Sequence, residues 1–187
     1  MNHSIPADEL DPDTGRGAVF HAAETGQDAM VEFFLGQGVD VNSIDKHGIS
    51  LLSAAVFARK AQSVRVLLNS GANVGQRIQN DSTPLHVASE LGALEEAELL
   101  VQAGANVDAA DYLGQTPMHL CATAGVALVL LSHGATLVRT NQGLEPLHAA
   151  ALAGHTQVAT EILRWRHGGV DARTAVGNTP LHLAALR

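Results

Sequence analysis

One four-residue phrase, Thr-Pro-Leu-His, constrains this chain more than any other feature, because it returns at a nearly fixed interval. It is spelled TPLH at 83–86, TPMH at 116–119, EPLH at 145–148 and TPLH again at 179–182. The prolines Pro84, Pro117, Pro146 and Pro180 lie 33, 29 and 34 residues apart. Stepping back 33 residues from Pro84 reaches Leu51 in GISLLSAAV, and the same step again reaches Ala18 in GRGAVFHAAETG. The alanines and apolar residues survive there while the Pro and His are lost. A catalytic side chain is rarely needed at regular intervals, whereas a structural unit is. Each such unit is too small to bury its apolar face alone, so the copies must stack.

The physics of the unit is clearest in the copy around residues 81–111. Thr83 can cap a helix, its side chain meeting an open backbone donor. Pro84 suits the first helical position, where its missing N–H costs nothing. Leu85 and Ala88 share one helical face, and Gly92 ends the helix. A second helix follows with Leu94, Ala97, Leu99, Leu100 and Val101 as apolar positions, and Gly104 closes it. Residues 104–114 then form an extended turn into the next copy. Neither helix is long enough to be stable alone.

A period near 33 with a T-P-L-H-x-A phrase resembles the ankyrin repeat, over roughly residues 13–187. The resemblance implies an all-α solenoid of stacked helix-turn-helix units joined by β-turn or hairpin loops. Five helix pairs are expected, with a sixth unit reduced to its first helix. A flexible segment 1–12 precedes units at about 13–45, 46–78, 79–111, 112–140, 141–174 and a partial 175–187. The copy at Pro117 is short, and its missing residues are expected to abbreviate the turn between its helices. The fifth copy gains one residue near EILRWRHGG. The chain stops at Arg187, where the family has a glycine and a second helix. It is therefore expected to be part of a longer protein or a truncated product, with an exposed, frayed end.

Composition narrows the function. The formal charge is −8, from 11 basic and 19 acidic residues, which argues against non-specific nucleic-acid binding and against attraction to anionic membranes. No apolar run approaches the ~18 residues needed to span a bilayer, so no membrane insertion is expected. Aromatics are 3% of a chain that is 46% hydrophobic, so Ala, Leu and Val must build the core. The single cysteine, Cys121, rules out an intrachain disulfide. A cytoplasmic or other reducing intracellular location is expected, and a monomer.

Ten histidines look like a resource for metal or acid–base chemistry. His86, His119, His148 and His182 occupy one repeat position, where the resemblance implies a structural hydrogen bond between turn and helix. They are expected about 10 Å apart by helix spacing, too far to share a zinc ion that needs ligands at ~2 Å. His3, His21, His47, His133, His155 and His167 are scattered. No zinc, phosphate-loop or nucleophile-elbow motif is present, so no catalytic residue, metal or cofactor is assigned. Cys121 sits where other copies have Ala and reads as a small buried hydrophobe or, alternatively, a reactive thiol. Trp165 with Arg164, Arg166 and His167 forms a basic cluster, read as a solvated helix end or a site for an acidic partner.

The resemblance implies that another protein binds along the turn tips and the ends of the first helices. Carried onto this sequence, the row is Lys46, His47, Ile49 and Phe57, then Gln79, Asn80, Glu90 and Leu91. It continues through Tyr112, Leu113 and Gln115, with Thr123 and Ala124, to Asn141, Gln142, Leu144 and Leu152. Its apolar members would form an exposed stripe of the kind that marks interfaces. Leu91 and Leu152 suit binding or packing equally; Tyr112 is assigned to binding. The turn Asp is present as Asp45 and Asp111 but replaced by Ile78, Thr140 and Thr174, and a turn glycine by Asp81, so looser turns are expected around 76–82 and 138–143. The leading function is a non-catalytic protein-interaction module. The alternative is a targeting or regulatory segment of a longer enzyme or effector. A hydrolytic or metal enzyme using the histidines ranks last.

Overall fold

The computed structural model describes residues 10–166 and 169–186. Most of the segment expected to be flexible, with His3, lies outside them, as does His167. The helices are α1 (Ala18–Thr25), α2 (Asp28–Gly36), α3 (Leu51–Phe57), α4 (Ala61–Asn69), α5 (Pro84–Leu91), α6 (Leu94–Gln102), α7 (Ala124–Ser132), α8 (Pro146–Ala153), α9 (Thr156–Arg166) and α10 (Pro180–Ala184). A four-residue 3-10 turn, Pro117–Leu120, stands between α6 and α7. Two rows result. First helices stack in the order α1, α3, α5, the 3-10 turn, α8 and α10, and second helices in the order α2, α4, α6, α7 and α9. The architecture is the helical solenoid expected from the repeat.

Local sequence explains each first helix. Thr83, Thr116, Glu145 and Thr179 stand at N-caps in extended conformation, each followed by Pro at the first helical position. Gly26, Gly92 and Gly154 end α1, α5 and α8 in the left-handed conformation, which glycine adopts without a Cβ penalty. Gly92 is doubly required, since a Cβ there would lie 2.6 Å from Thr123 Cγ2. The core lies between the two rows. Small residues such as Ala54, Ala55 and Ala88 let first helices approach, while Leu52, Leu67, Leu85, Leu100, Leu130 and Ile162 fill the interior. Leu94 departs from the expected apolar face: it opens α6 and is 41% exposed.

The short fourth copy loses residues in a different place from the one expected. Its second helix keeps nine residues, as in α6. The loss falls on the first helix, cut from eight residues in α5 to four. Cys121 and Thr123 then run in non-helical conformation, Thr123 serving as the N-cap of α7. Thr123 and Ala124 therefore begin the second helix and do not end the first. The shortened unit is tied to both neighbours: Ala122 N–H donates to Ser89 O at 3.0 Å, and the His155 ring is 2.9 Å from Cys121 O. The stack continues because Pro117–Leu120 still packs on both α5 and α8.

The last unit is α10, packed on α8 with Leu183 buried. Leu181 is 78% and Leu186 75% exposed. An open apolar groove of about 700 Å³ runs beside it, lined by Leu147, Ala151, Leu163, Val170, Leu181 and Ala184. A unit held through one interface is less stable than one held through two, and α10 packs on α8 while leaving Leu181 and Leu186 exposed. Backbone amides of residues 181–186 are accordingly expected to exchange with solvent much faster than those of 85–102. Equal protection in a hydrogen-exchange experiment would show that something covers this end.

Candidate binding face

The turn tips are held in line by the repeat histidines. Thr83 N–H donates to His86 Nδ1 at 3.1 Å, which leaves Nε2 to carry the proton and donate to Gln115 O of the next turn at 3.0 Å. His119 repeats this with Thr116 N–H at 3.1 Å and Leu144 O at 3.1 Å. His148 does so with Glu145 N–H at 3.2 Å and with Ala172 O and Asn178 O at 3.0 and 3.3 Å. Each ring thus caps its own helix and clamps the turn that follows. His182 makes the capping half, with Thr179 N–H at 3.3 Å. Burial pushes the pKa of His86 and of His119 down, against the opposing pull of the accepting carbonyls, so both are neutral in the folded chain.

The first two copies lack this histidine and differ accordingly. Phe20 takes its place in copy one, with the Arg16 guanidinium 5.5 Å from its ring centroid. Arg16 then reaches the next turn by charge, its Nε 2.8 Å from Asp45 Oδ2 and its Nη1 2.7 Å from Glu24. Burial alone would raise the Asp45 pKa, but the N–H groups of Ile49 and His47 and the Arg16 guanidinium outweigh it and hold the carboxyl below its usual range. In copy two the position is Ser53, which bonds only to the Ser50 hydroxyl at 3.0 Å. No ring bridges from there to the turn at 78–82.

All five turns close with the same backbone bond: Asp45, Ile78, Asp111, Thr140 and Thr174 each donate N–H to the residue four positions on, at 2.9 Å. The turns at 76–82 and 138–143 are thus as closed as the others. At 140 the threonine hydroxyl replaces the carboxylate, accepting from Gln142 and Leu144 N–H at 3.3 and 3.2 Å. Ile78 offers no acceptor, and Arg77 Nη1 instead donates to the carbonyls of Asp81 and Ala110. Both Asn80 (φ 63°) and Asp81 (φ 61°) are left-handed; other tips place only a glycine so, as at Gly48 and Gly114. Asn and Asp tolerate that region better than most residues.

Neighbouring tips are linked by backbone bonds from Lys46 to Thr14, from Tyr112 to Asn80 and from Asn141 to Leu113, at 3.0–3.1 Å. Among the described residues the corresponding link is missing in two places, between the tips at 140–143 and 174–177 and between those at 45–48 and 78–81. At the second of these a recess of about 470 Å³ opens, lined by His47, Ile49, Ile78, Gln79, Asn80 and Tyr112. It gathers five residues of the row read from sequence and adds Ile78. Leu113, Gln115, Gln142 and Leu144 line a second, smaller crevice of about 50 Å³ with His119. Lys46, Phe57, Glu90, Asn141 and Leu152 are exposed outside both. The continuous apolar stripe is not formed: Phe57, Tyr112 and Leu152 are 43%, 58% and 47% exposed, but Leu91, Leu113 and Leu144 are half-buried, Leu91 against the core.

Sequence reasoning read Ile78 only as a replaced turn acid and missed Arg77 before it; neither was placed in the binding row, although Ile78 lines the recess and Arg77 ties the turn. Cys121 is buried among apolar neighbours, which pushes its thiol pKa up to about 12; that suits an inert core residue and not a nucleophile. Trp165 is 55% exposed and Arg164 pairs with Glu161 at 2.7 Å, while the Arg166 side chain lies outside the described residues.

A family model described as ankyrin repeats (3 copies) matches residues 2–78 and 53–141, and a single ankyrin repeat model matches residues 142–175. The chain is 30% identical over 125 residues to Protein fem-1 homolog A-like of Mus musculus, covering 67% of this chain and 14% of that protein. It is 33% identical over 88 residues to the B-cell lymphoma 3 protein homolog of Mus musculus, covering 47% and 20%. It is 35% identical over 65 residues to E3 ubiquitin-protein ligase KEG of Arabidopsis thaliana, covering 34% and 4%. The chain thus spans a fifth or less of each of these relatives.

The histidine clamps have two measurable consequences. His86→Ala strands buried backbone partners and is expected to cost about 1–3 kcal/mol in a denaturant titration. The unfolded chain protonates its histidines near pH 6.5, whereas folded His86 and His119 resist protonation. Below that pH the unfolded state binds more protons, so stability is fully present above about pH 6.5 and falls as the pH drops toward the depressed folded values. A melting temperature that is flat or rising from about pH 7 down to about pH 5 would contradict this.

Proposed function

The chain belongs to the ankyrin repeat family, and we propose that it is a non-catalytic module that binds another protein through its turn tips and the exposed ends of its first helices. The observation that carries this reading is the recess at the broken link between tips, lined by His47, Ile49, Ile78, Gln79, Asn80 and Tyr112. Tyr112 supplies rigid apolar area with a polar tip, the kind of side chain that anchors interfaces. The repeat histidines His86, His119 and His148 are already committed to backbone partners, which leaves them little for acid–base work. The same surface serves a second reading, in which this array is the targeting or regulatory part of a longer enzyme or effector. One observation favours it: a relative that carries a ligase name is matched over only 4% of its length. In either case we place the module in a reducing intracellular compartment, as a monomer, with no nucleic-acid partner.

The test compares proteins captured by the native chain, by Tyr112→Ala and by Glu98→Lys, which lies on the opposite, second-helix edge. Tyr112 uses only backbone atoms within the fold, so its truncation leaves the array intact. Capture of a specific partner is expected to fall by about tenfold or more with Tyr112→Ala and to persist with Glu98→Lys. The reverse pattern would overturn the assignment of the face.

A further inference from the structure

Among the described residues the turn-tip edge is biased toward exposed positive charge. In the turn segments 44–49, 77–82, 110–115, 139–144 and 173–178, the exposed charged residues are Lys46, Arg77, Asp81, Arg139 and Arg173. Four of these five are cations. Asp45, Asp111 and Glu145 on the same edge are buried, the first paired with Arg16 and the last with Arg139. Asp11, in the preceding segment, is the acidic neighbour of Lys46. The second-helix edge is mixed, with exposed Glu32, Glu95 and Glu98 beside exposed Arg65 and Arg164, Arg65 lying 3.8 Å from Glu95. Among the described residues Lys46 and Arg77 make their hydrogen bonds to carbonyl oxygens, which satisfy donors without cancelling charge.

Building on the reading above, we propose that the turn-tip recess docks an acidic, extended segment of the partner protein. A bulky apolar side chain of that segment sits against Ile49, Ile78 and Tyr112, and flanking carboxylates face Lys46 and Arg77. The chemistry of the recess selects each element of this description. Its lining includes the apolar side chains of Ile49, Ile78 and Tyr112, and the cations Lys46 and Arg77 stand next in sequence to its lining residues His47 and Ile78. Gln79 and Asn80 bring side-chain amides that can both donate and accept, which suits a strand with open backbone groups better than a helix whose backbone bonds are internal. No backbone bond ties the tips at 45–48 and 78–81 across it.

The probe is a short fluorescein-labelled peptide of glutamates around one central phenylalanine. Controls are the same peptide with lysine for glutamate, with serine for phenylalanine, and a single-stranded oligothymidylate. The acidic peptide is expected to bind at least about tenfold tighter than either peptide control. Its affinity should weaken about tenfold with Lys46→Glu or Tyr112→Ala, weaken as salt rises from about 0.05 to about 0.5 M, and hold with Glu98→Lys. Arg77→Glu adds to the test only if its melting curve matches the native one, because Arg77 also ties the turn. Equal binding of the lysine peptide, indifference to Lys46→Glu, or tighter binding of the oligothymidylate would overturn the proposal. Should Tyr112→Ala abolish partner capture while the peptides bind indifferently, the binding face stands and only the partner's acidic chemistry falls.

Discussion

The fold depends on one two-ended hydrogen bond. A neutral imidazole accepts from the backbone N–H that opens its own helix and donates to a carbonyl of the next turn, as His86 does between Thr83 and Gln115. Both partners are main-chain groups that would otherwise be buried unmet, which is costly. The ring therefore serves helix capping and inter-unit registration at once. It explains why a side chain rich in chemical possibility recurs here without chemistry. It also explains why the array couples its units although each is only a pair of short helices.

What is missing from this scheme shapes the surface as much as what is present. Copy one substitutes an ion pair, Arg16 with Asp45, and stays registered. Copy two substitutes Ser53, which reaches no further than Ser50. The next turn also lacks the acidic acceptor and the glycine, and it compensates with Arg77 and with left-handed Asn80 and Asp81. The recess lies where these departures meet. The recess thus coincides with a repeat that departs from the pattern at the histidine, the turn acid and the turn glycine together.

The repeat period, the helix caps and the structural role of the histidines were legible because each is a local pattern copied several times. The proline and glycine positions around α5 and α8 mark their ends in the sequence as they do in the fold. The shortened copy was harder. A count of residues between Pro117 and Gly134 shows a deletion but not which element absorbs it, and tertiary packing favoured keeping α7 whole at the expense of the helix before it. Half of the apolar stripe was misjudged because exposure of Leu91, Leu113 and Leu144 depends on adjacent turns, which spacing does not report. Ile78 was legible as a departure from the turn acid but not as part of a recess, and Arg77 carried no signal, since its importance arises from the acceptor that Ile78 lacks and not from a motif.

The most direct test of this account is the tautomeric state of the histidine rings, read from long-range proton–nitrogen NMR correlations at neutral pH. His86, His119 and His148 should each appear as a single neutral tautomer protonated at Nε2, because Nδ1 in each accepts a backbone N–H. Exposed His47, with neither bond, should show averaged signals. If the three repeat histidines were instead averaged like His47, the clamps would be absent, and the registration of turn tips on which the binding face rests would have no basis.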